Sequence, residues 1–173
     1  MSKTTLFSSF NNKSLSLDNR IVMAPMTRQF SPDGIPTSDV AGYYRRRAEG
    51  GTGLIITEGT TVNDKVATMG ATIPRFHGED ALAGWKQVVD EVHNAGGKIM
   101  PQIWHVGMAR VAENAPFPEL PSAGPSGLFK PGKQGAEPMT VAHIESVINA
   151  FAEAAADAQR IGMDGVEIHG AHG

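Results

Sequence analysis

The chain is 173 residues long, with a formal net charge of −3 and a pI near 6.0. That length suits one domain with a sizeable core, and the charge leaves no electrostatic argument for nucleic acid or an anionic membrane. The absence of cysteine rules out disulfides and thiolate metal sites and makes the cytoplasm the expected compartment.

Met1-Ser2-Lys3-Thr4-Thr5 lacks an apolar signal core, and no stretch approaches the ~20 apolar residues of a membrane helix. Within residues 1–20, Leu6 to Phe10 and Leu15 to Leu17 flank Asn11-Asn12-Lys13. This pattern predicts a hairpin that could plug one barrel end. Ile21-Val22-Met23-Ala24 reads as a first buried strand. Ser38 or Asp39 can cap a helix to about Glu49, with Gly50-Gly51 as its stop. Arg45-Arg46-Arg47 lies in that helix and reads as a solvated face. Gly53 to Thr57 is a second strand. Leu82, Trp85, Val89 and Val92 recur at steps of three and four, one apolar helix face ending at Gly96-Gly97. Lys98 to Trp104 is a third strand. Residues 106–138, rich in Pro and Gly, read as a long functional loop after it. Val141, Ile144, Val147, Ile148, Phe151, Ala155, Ala158 and Ile161 mark another helix face, with Thr140 as N-cap and Gly162 as stop. Gly165 to His169 is a fourth strand.

Alternating strands and helices imply an α/β protein with a parallel sheet and right-handed crossovers. Residues 1–173 are expected to form a single domain. Four strands cannot close a barrel of eight and would leave two open edges. The chain is therefore expected to be a fragment, or to pair with a second copy or another chain. Polar residues gather at the strand ends: Pro25-Met26-Thr27-Arg28, Thr57-Glu58-Gly59-Thr60, then Gln102, Trp104 and His105, then His169 and His172. In a parallel sheet all of these fall at one end, where barrels of this type assemble their chemistry. Two histidines alone supply only two ligands, so no metal is expected.

These segments resemble the Old Yellow Enzyme family of FMN-dependent ene-reductases, specifically the N-terminal half. The resemblance is carried by residues 19–28, Tyr43-Tyr44 through Arg47-Ala48, Thr57-Glu58-Gly59, Gln102-Ile103-Trp104-His105 and residues 164–173. It implies a (β/α)8 TIM barrel of which this chain holds the first four strands, a half-barrel, with FMN across the C-terminal mouth and NADH or NADPH as reductant. It implies that Pro25, Met26 and Thr27 line the flavin, that Gly59 lets the backbone approach the ring, and that Gln102 pairs with its pyrimidine edge. His169 and His172 would clamp the oxygen of a small-molecule activated alkene, and Trp104 would shape the substrate pocket. The family's tyrosine proton donor, a flavin-facing arginine and the phosphate site would belong to the C-terminal half. The rival expectation is a scaffold or self-associating half-barrel without flavin.

Overall fold

The computed structural model describes residues 3–171. A short helix, α1 (Lys3–Leu6), leads into a hairpin of β1 (Phe10–Asn12) and β2 (Leu15–Leu17). Phe10 pairs with Leu17 and Asn12 with Leu15. The turn is therefore Lys13-Ser14, not Asn11-Asn12-Lys13, and Lys13 takes the positive φ of 32°. Leu6 ends a helix rather than opening a strand.

The main sheet is parallel. Its strands are β3 (Val22–Met23), β4 (Leu54–Thr61), β5 (Ile99–Trp104) and β8 (Glu167–Ile168), adjacent in that order. Strand β3 is shorter than its apolar run suggests. Pro25 has no N–H with which to continue a ladder, although the Ile21 carbonyl still accepts from Gly53 and Leu54. Strand β4 is longer than expected and runs on through Glu58, Gly59 and Thr60.

Helix α2 (Ser38–Glu49) buries Val40, Ala41, Tyr44 and Ala48 at helical spacing. Its N-cap is Thr37, in extended conformation, so Ser38 and Asp39 already lie inside the helix. Helix α3 (Glu79–Asn94) buries Leu82, Trp85, Val88, Val89 and Val92. Strands β6 (Leu128–Lys130) and β7 (Lys133–Gln134) form a small hairpin inside the segment 106–138. Helix α4 (Val141–Ile161) starts at Thr140, whose hydroxyl accepts from the His143 N–H at 3.2 Å, and ends at Gly162 in the left-handed region.

The core lies between one face of the sheet and the three long helices. Ile55, Ile99 and Ile103 meet Val40, Tyr44, Trp85, Val88 and Val92 there. The apolar face of α4 is covered only in part. Ala150, Ala154, Ala158 and Ile161 are buried, whereas Val141 and Ile148 are 71% and 61% exposed. The covered positions are mostly alanines, which let the helix come close. Its first turn meets the loop after β4 through His143, whose Nε2 lies 2.6 Å from Asp64 Oδ2.

Candidate active site

The site face follows from strand periodicity. Residues two apart on a strand share a face, so Ile99 and Ile103 point into the helix-backed core while Gln102 and Trp104 point to the other side. Gly59 pairs with Gln102, and Gln102 with Glu167. These three residues form one lateral row on neighbouring strands. Trp104 and His169 stand two residues further toward the strand ends, their rings 5.8 Å apart at 62°.

The row depends on a bulge. Ile56 pairs with Met100 and Gly59 with Gln102, so β4 takes three steps where β5 takes two. The extra residue falls at Thr57-Glu58, and such a bulge re-aims the side chains beside it. Thr57 stitches it: its hydroxyl donates to the Glu58 carbonyl at 2.7 Å and accepts from the Gln102 N–H at 3.1 Å.

Gly59 has a steric reason of its own. A Cβ there would lie 2.6 Å from the Trp104 ring, so the indole occupies the space a side chain would need. The Gln102 amide nitrogen donates to Glu167 Oε2 at 2.8 Å. That bond fixes the amide's orientation and leaves its carbonyl oxygen to accept. The Trp104 indole N–H is buried without a partner, a donor still awaiting an acceptor.

Pro25, Met26 and Thr27 lie at the same end, on a stretch without helix or strand, with Met26 and Thr27 exposed. What holds that stretch is Glu58, only 1% exposed. Its carboxylate accepts from the Arg28 and Gln29 backbone N–H groups at 2.9 and 3.2 Å and from Arg28 Nη2 at 2.7 Å. Its own N–H donates to the Tyr44 hydroxyl at 2.9 Å. Burial pushes that hydroxyl above its ordinary pKa range, the Glu58 charge pushes it further, and it stays neutral. The Arg28 and Arg47 guanidinium carbons lie 3.6 and 3.4 Å from the Tyr43 ring centroid, a double cation–π contact.

The long segment 106–138 is also pinned from inside. Arg110 is buried and donates to the carbonyls of Pro116, Phe117 and Leu120. Both of its stems meet Asp64, which follows β4. His143, just past the exit, has Nε2 2.6 Å from Asp64 Oδ2, and His105, just before the entry, has Nε2 4.0 Å from Oδ1. His105 Nδ1 accepts from the Gly107 N–H, which puts the neutral ring's proton on Nε2. Burial lowers the His105 pKa against the pull of Asp64. Burial alone would raise Asp64, but the Val66 N–H and the two histidines outweigh it and hold the carboxyl below its usual range.

Sequence patterns alone left Glu58, Arg28 and His105 at the rim without roles, and they did not single out Glu167, Asp64, His143 or Arg110 at all. The available signal was a Glu and an Arg at the ends of neighbouring strands. His172 lies outside the described residues. Asp164, in the motif that ends at the histidines, is structural: its carboxylate accepts from the Ile99 N–H and sits 2.8 Å from His93 Nε2 and 3.1 Å from Lys98.

Residues 5–173 match the model of the NADH:flavin oxidoreductase / NADH oxidase family. The chain belongs to this family. Among its relatives is 12-oxophytodienoate reductase 7 of Oryza sativa subsp. japonica, 36% identical over 180 residues that cover 97% of this chain and 45% of the relative. Solved structures agree. Morphinone reductase superposes with a TM-score of 0.86 at 34% identity, covering 96% of this chain and 48% of that one. The Old Yellow Enzyme homologue from Zymomonas mobilis gives 0.82 at 29% identity, covering 95% and 48%. The Old Yellow Enzyme resemblance and the half-barrel reading thus hold. Like the family's solved members, the chain has the parallel-stranded α/β architecture of a TIM barrel, and it spans about half the length of the relatives it matches.

Proposed function

We propose that the protein works as an FMN-dependent oxidoreductase on alkenes activated by a carbonyl or nitro group, with NADH or NADPH as reductant. The observation that carries this reading is the lateral row Gly59, Gln102 and Glu167 at the barrel mouth, with Trp104 and His169 just beyond it. Bound FMN would supply the hydride chemistry, between the nicotinamide and the β-carbon of the alkene. The protein's own groups do the rest. Gln102, oriented by Glu167, would accept from the ring N3–H and use its remaining N–H for the C2 carbonyl. The exposed Thr27 hydroxyl would donate to the C4 carbonyl, with Pro25 and Met26 along the same edge. The Gly59 backbone, kept bare by the Trp104 indole, leaves room for a flat ring. His169, together with His172, would donate N–H to the substrate oxygen and favour the charge that develops there.

The donors present suit the ring better than the cofactor's tail. In barrels of this type the phosphate sits in loops after the seventh and eighth strands, and the sheet described here has four. The phosphate cradle and the proton donor would therefore come from a complementary C-terminal half-barrel. The exposed β3 and β8 edges, with Val22 and Ile168 48% and 66% exposed, favour such a partner.

The test is a titration of the protein with FMN, followed by a phenol as substrate mimic. Replacing His169 and His172 together by alanine should weaken phenol binding roughly a hundredfold while FMN stays bound, the expected cost of two hydrogen bonds to a polarised oxygen. Unchanged phenol affinity in that variant would sink the clamp. Residues 1–173 alone should bind FMN weakly and reduce a cyclic enone poorly, and adding the complementary half should raise both.

A further inference from the structure

We propose that Glu58 is a positioning residue: it holds Thr27 at the height of the Gly59–Gln102–Glu167 row, so that one flat ring can meet both. This rests on the reading that Thr27 and Gln102 face a flavin.

Four observations converge on it. The carboxylate accepts from three donors, and all three belong to Arg28 and Gln29, directly after Thr27. Residues 24–30 have no helix or strand of their own, so this anchoring replaces a backbone ladder. Glu58 sits in the β4 bulge and is followed at once by Gly59, which is in register with Gln102. One residue thus ties the loose segment to the rigid row, with no intervening flexible bond beyond the Glu58 side chain. Finally, the tie is itself braced. Tyr44 accepts the Glu58 N–H, and Arg28 stacks on Tyr43.

Energetics point the same way. Burying a carboxylate and a guanidinium costs desolvation that the pair's attraction only about repays, so an apolar pair of similar volume would serve stability as well. What an apolar pair could not do is accept two backbone N–H groups from the stretch that follows β3 and so fix the height of the residue before them. The retained charge is accounted for by placement rather than by stability.

The full chain tests this through two readouts on Glu58→Gln, which keeps the shape but replaces one acceptor oxygen by a donor. The first needs no flavin. Amide hydrogen exchange at Arg28 and Gln29, whose N–H groups the carboxylate accepts, should accelerate about tenfold or more, the equivalent of one lost charge-assisted bond, while Gln102 and Ile103 exchange as before. Unchanged exchange at Arg28 and Gln29 overturns the proposal.

The second readout is the midpoint potential of bound FMN. Thr27→Ala removes a donor to the ring, which should lower the potential. Glu58→Gln should lower it in the same direction, and the double variant should fall no further than the larger single effect. Strictly additive shifts would mean that Glu58 acts independently of Thr27 and would overturn the proposal. A wild-type chain that leaves FMN fluorescence unquenched even with the complementary half present would defeat the flavin reading itself and this proposal with it. Faster exchange with additive potentials leaves the flavin reading standing and removes only the role of Glu58. Should Glu58→Gln fail to fold, Glu58→Asp carries the same two readouts, since it keeps the charge but draws the carboxylate back from the Arg28 and Gln29 N–H groups.

Discussion

Two parts of the barrel mouth are built differently. Gly59, Gln102 and Trp104 ride on β4 and β5, buried strands with partners on both sides, and their positions follow from ladder hydrogen bonds and a two-residue period. The stretch 24–30 and the segment 106–138 have little or no such frame. Each is held by a buried charged side chain: Glu58 for the first, Arg110 for the second, with Asp64 drawing in both stems of the latter. A ladder spreads its hold over many weak bonds. A pin concentrates it on a few groups that are costly to leave unpaired. The two regions should therefore fail in different ways.

The largest expected effect breaks a pin. Arg28→Met leaves the Glu58 carboxylate buried with only backbone donors and should cost about 3–5 kcal/mol of unfolding free energy, the usual price of orphaning one partner of a buried pair. Urea denaturation measures it. A loss below about 1 kcal/mol, the range of exposed pairs, would show that the site is wetter than its burial indicates.

Next comes a strain on the ladder side. Gly59→Ala puts a Cβ where the Trp104 ring lies and should cost roughly 1–3 kcal/mol by overpacking. The indole has to move, so tryptophan fluorescence should shift in the variant. Stability lost without a spectral change would place the strain in the backbone instead.

The smallest effect is acid sensitivity around the long segment. His105 has a lowered pKa in the fold, so the unfolded chain takes up its proton more readily. Stability should therefore be full above about pH 6.5, the ordinary histidine value, and fall as pH drops below it. His77, also lowered chiefly by burial, adds a contribution of the same sign. Asp64 is held below its usual range, so its share is present above about pH 4 and lost as pH falls through its folded value. Urea midpoints at neutral and mildly acidic pH should separate, and His105→Gln should narrow the gap without closing it. An unchanged gap would assign the acid response to His77.

Much of the architecture was legible in the residues themselves. The four parallel strands and three long helices follow from periodicity with glycine stops, because burying one face of each element is a local pattern with a global consequence. Gly59 and Gln102 were marked by the family resemblance, but nothing in the periodicity showed that a bulge brings them into one row. The apolar stripe of α4 over-reached, since a stripe shows what wants covering and not whether a neighbour covers it. Val141 and Ile148 stay in solvent.

The sequence by itself determined the alternation of elements, the end of the sheet where polar residues gather and the family. Each of these depends on residue order and spacing along one chain. Only the tertiary structure decided that β4 carries a bulge, that Glu58 reaches Arg28 across thirty residues, that Glu167 orients Gln102 across sixty-five, and that Asp64 meets histidines at both ends of one loop. Those pairings depend on register between strands and on which buried charge finds which donor. Neither leaves a periodic trace in the sequence, because a single residue of slip in β4 would change every partner while leaving its local pattern nearly the same.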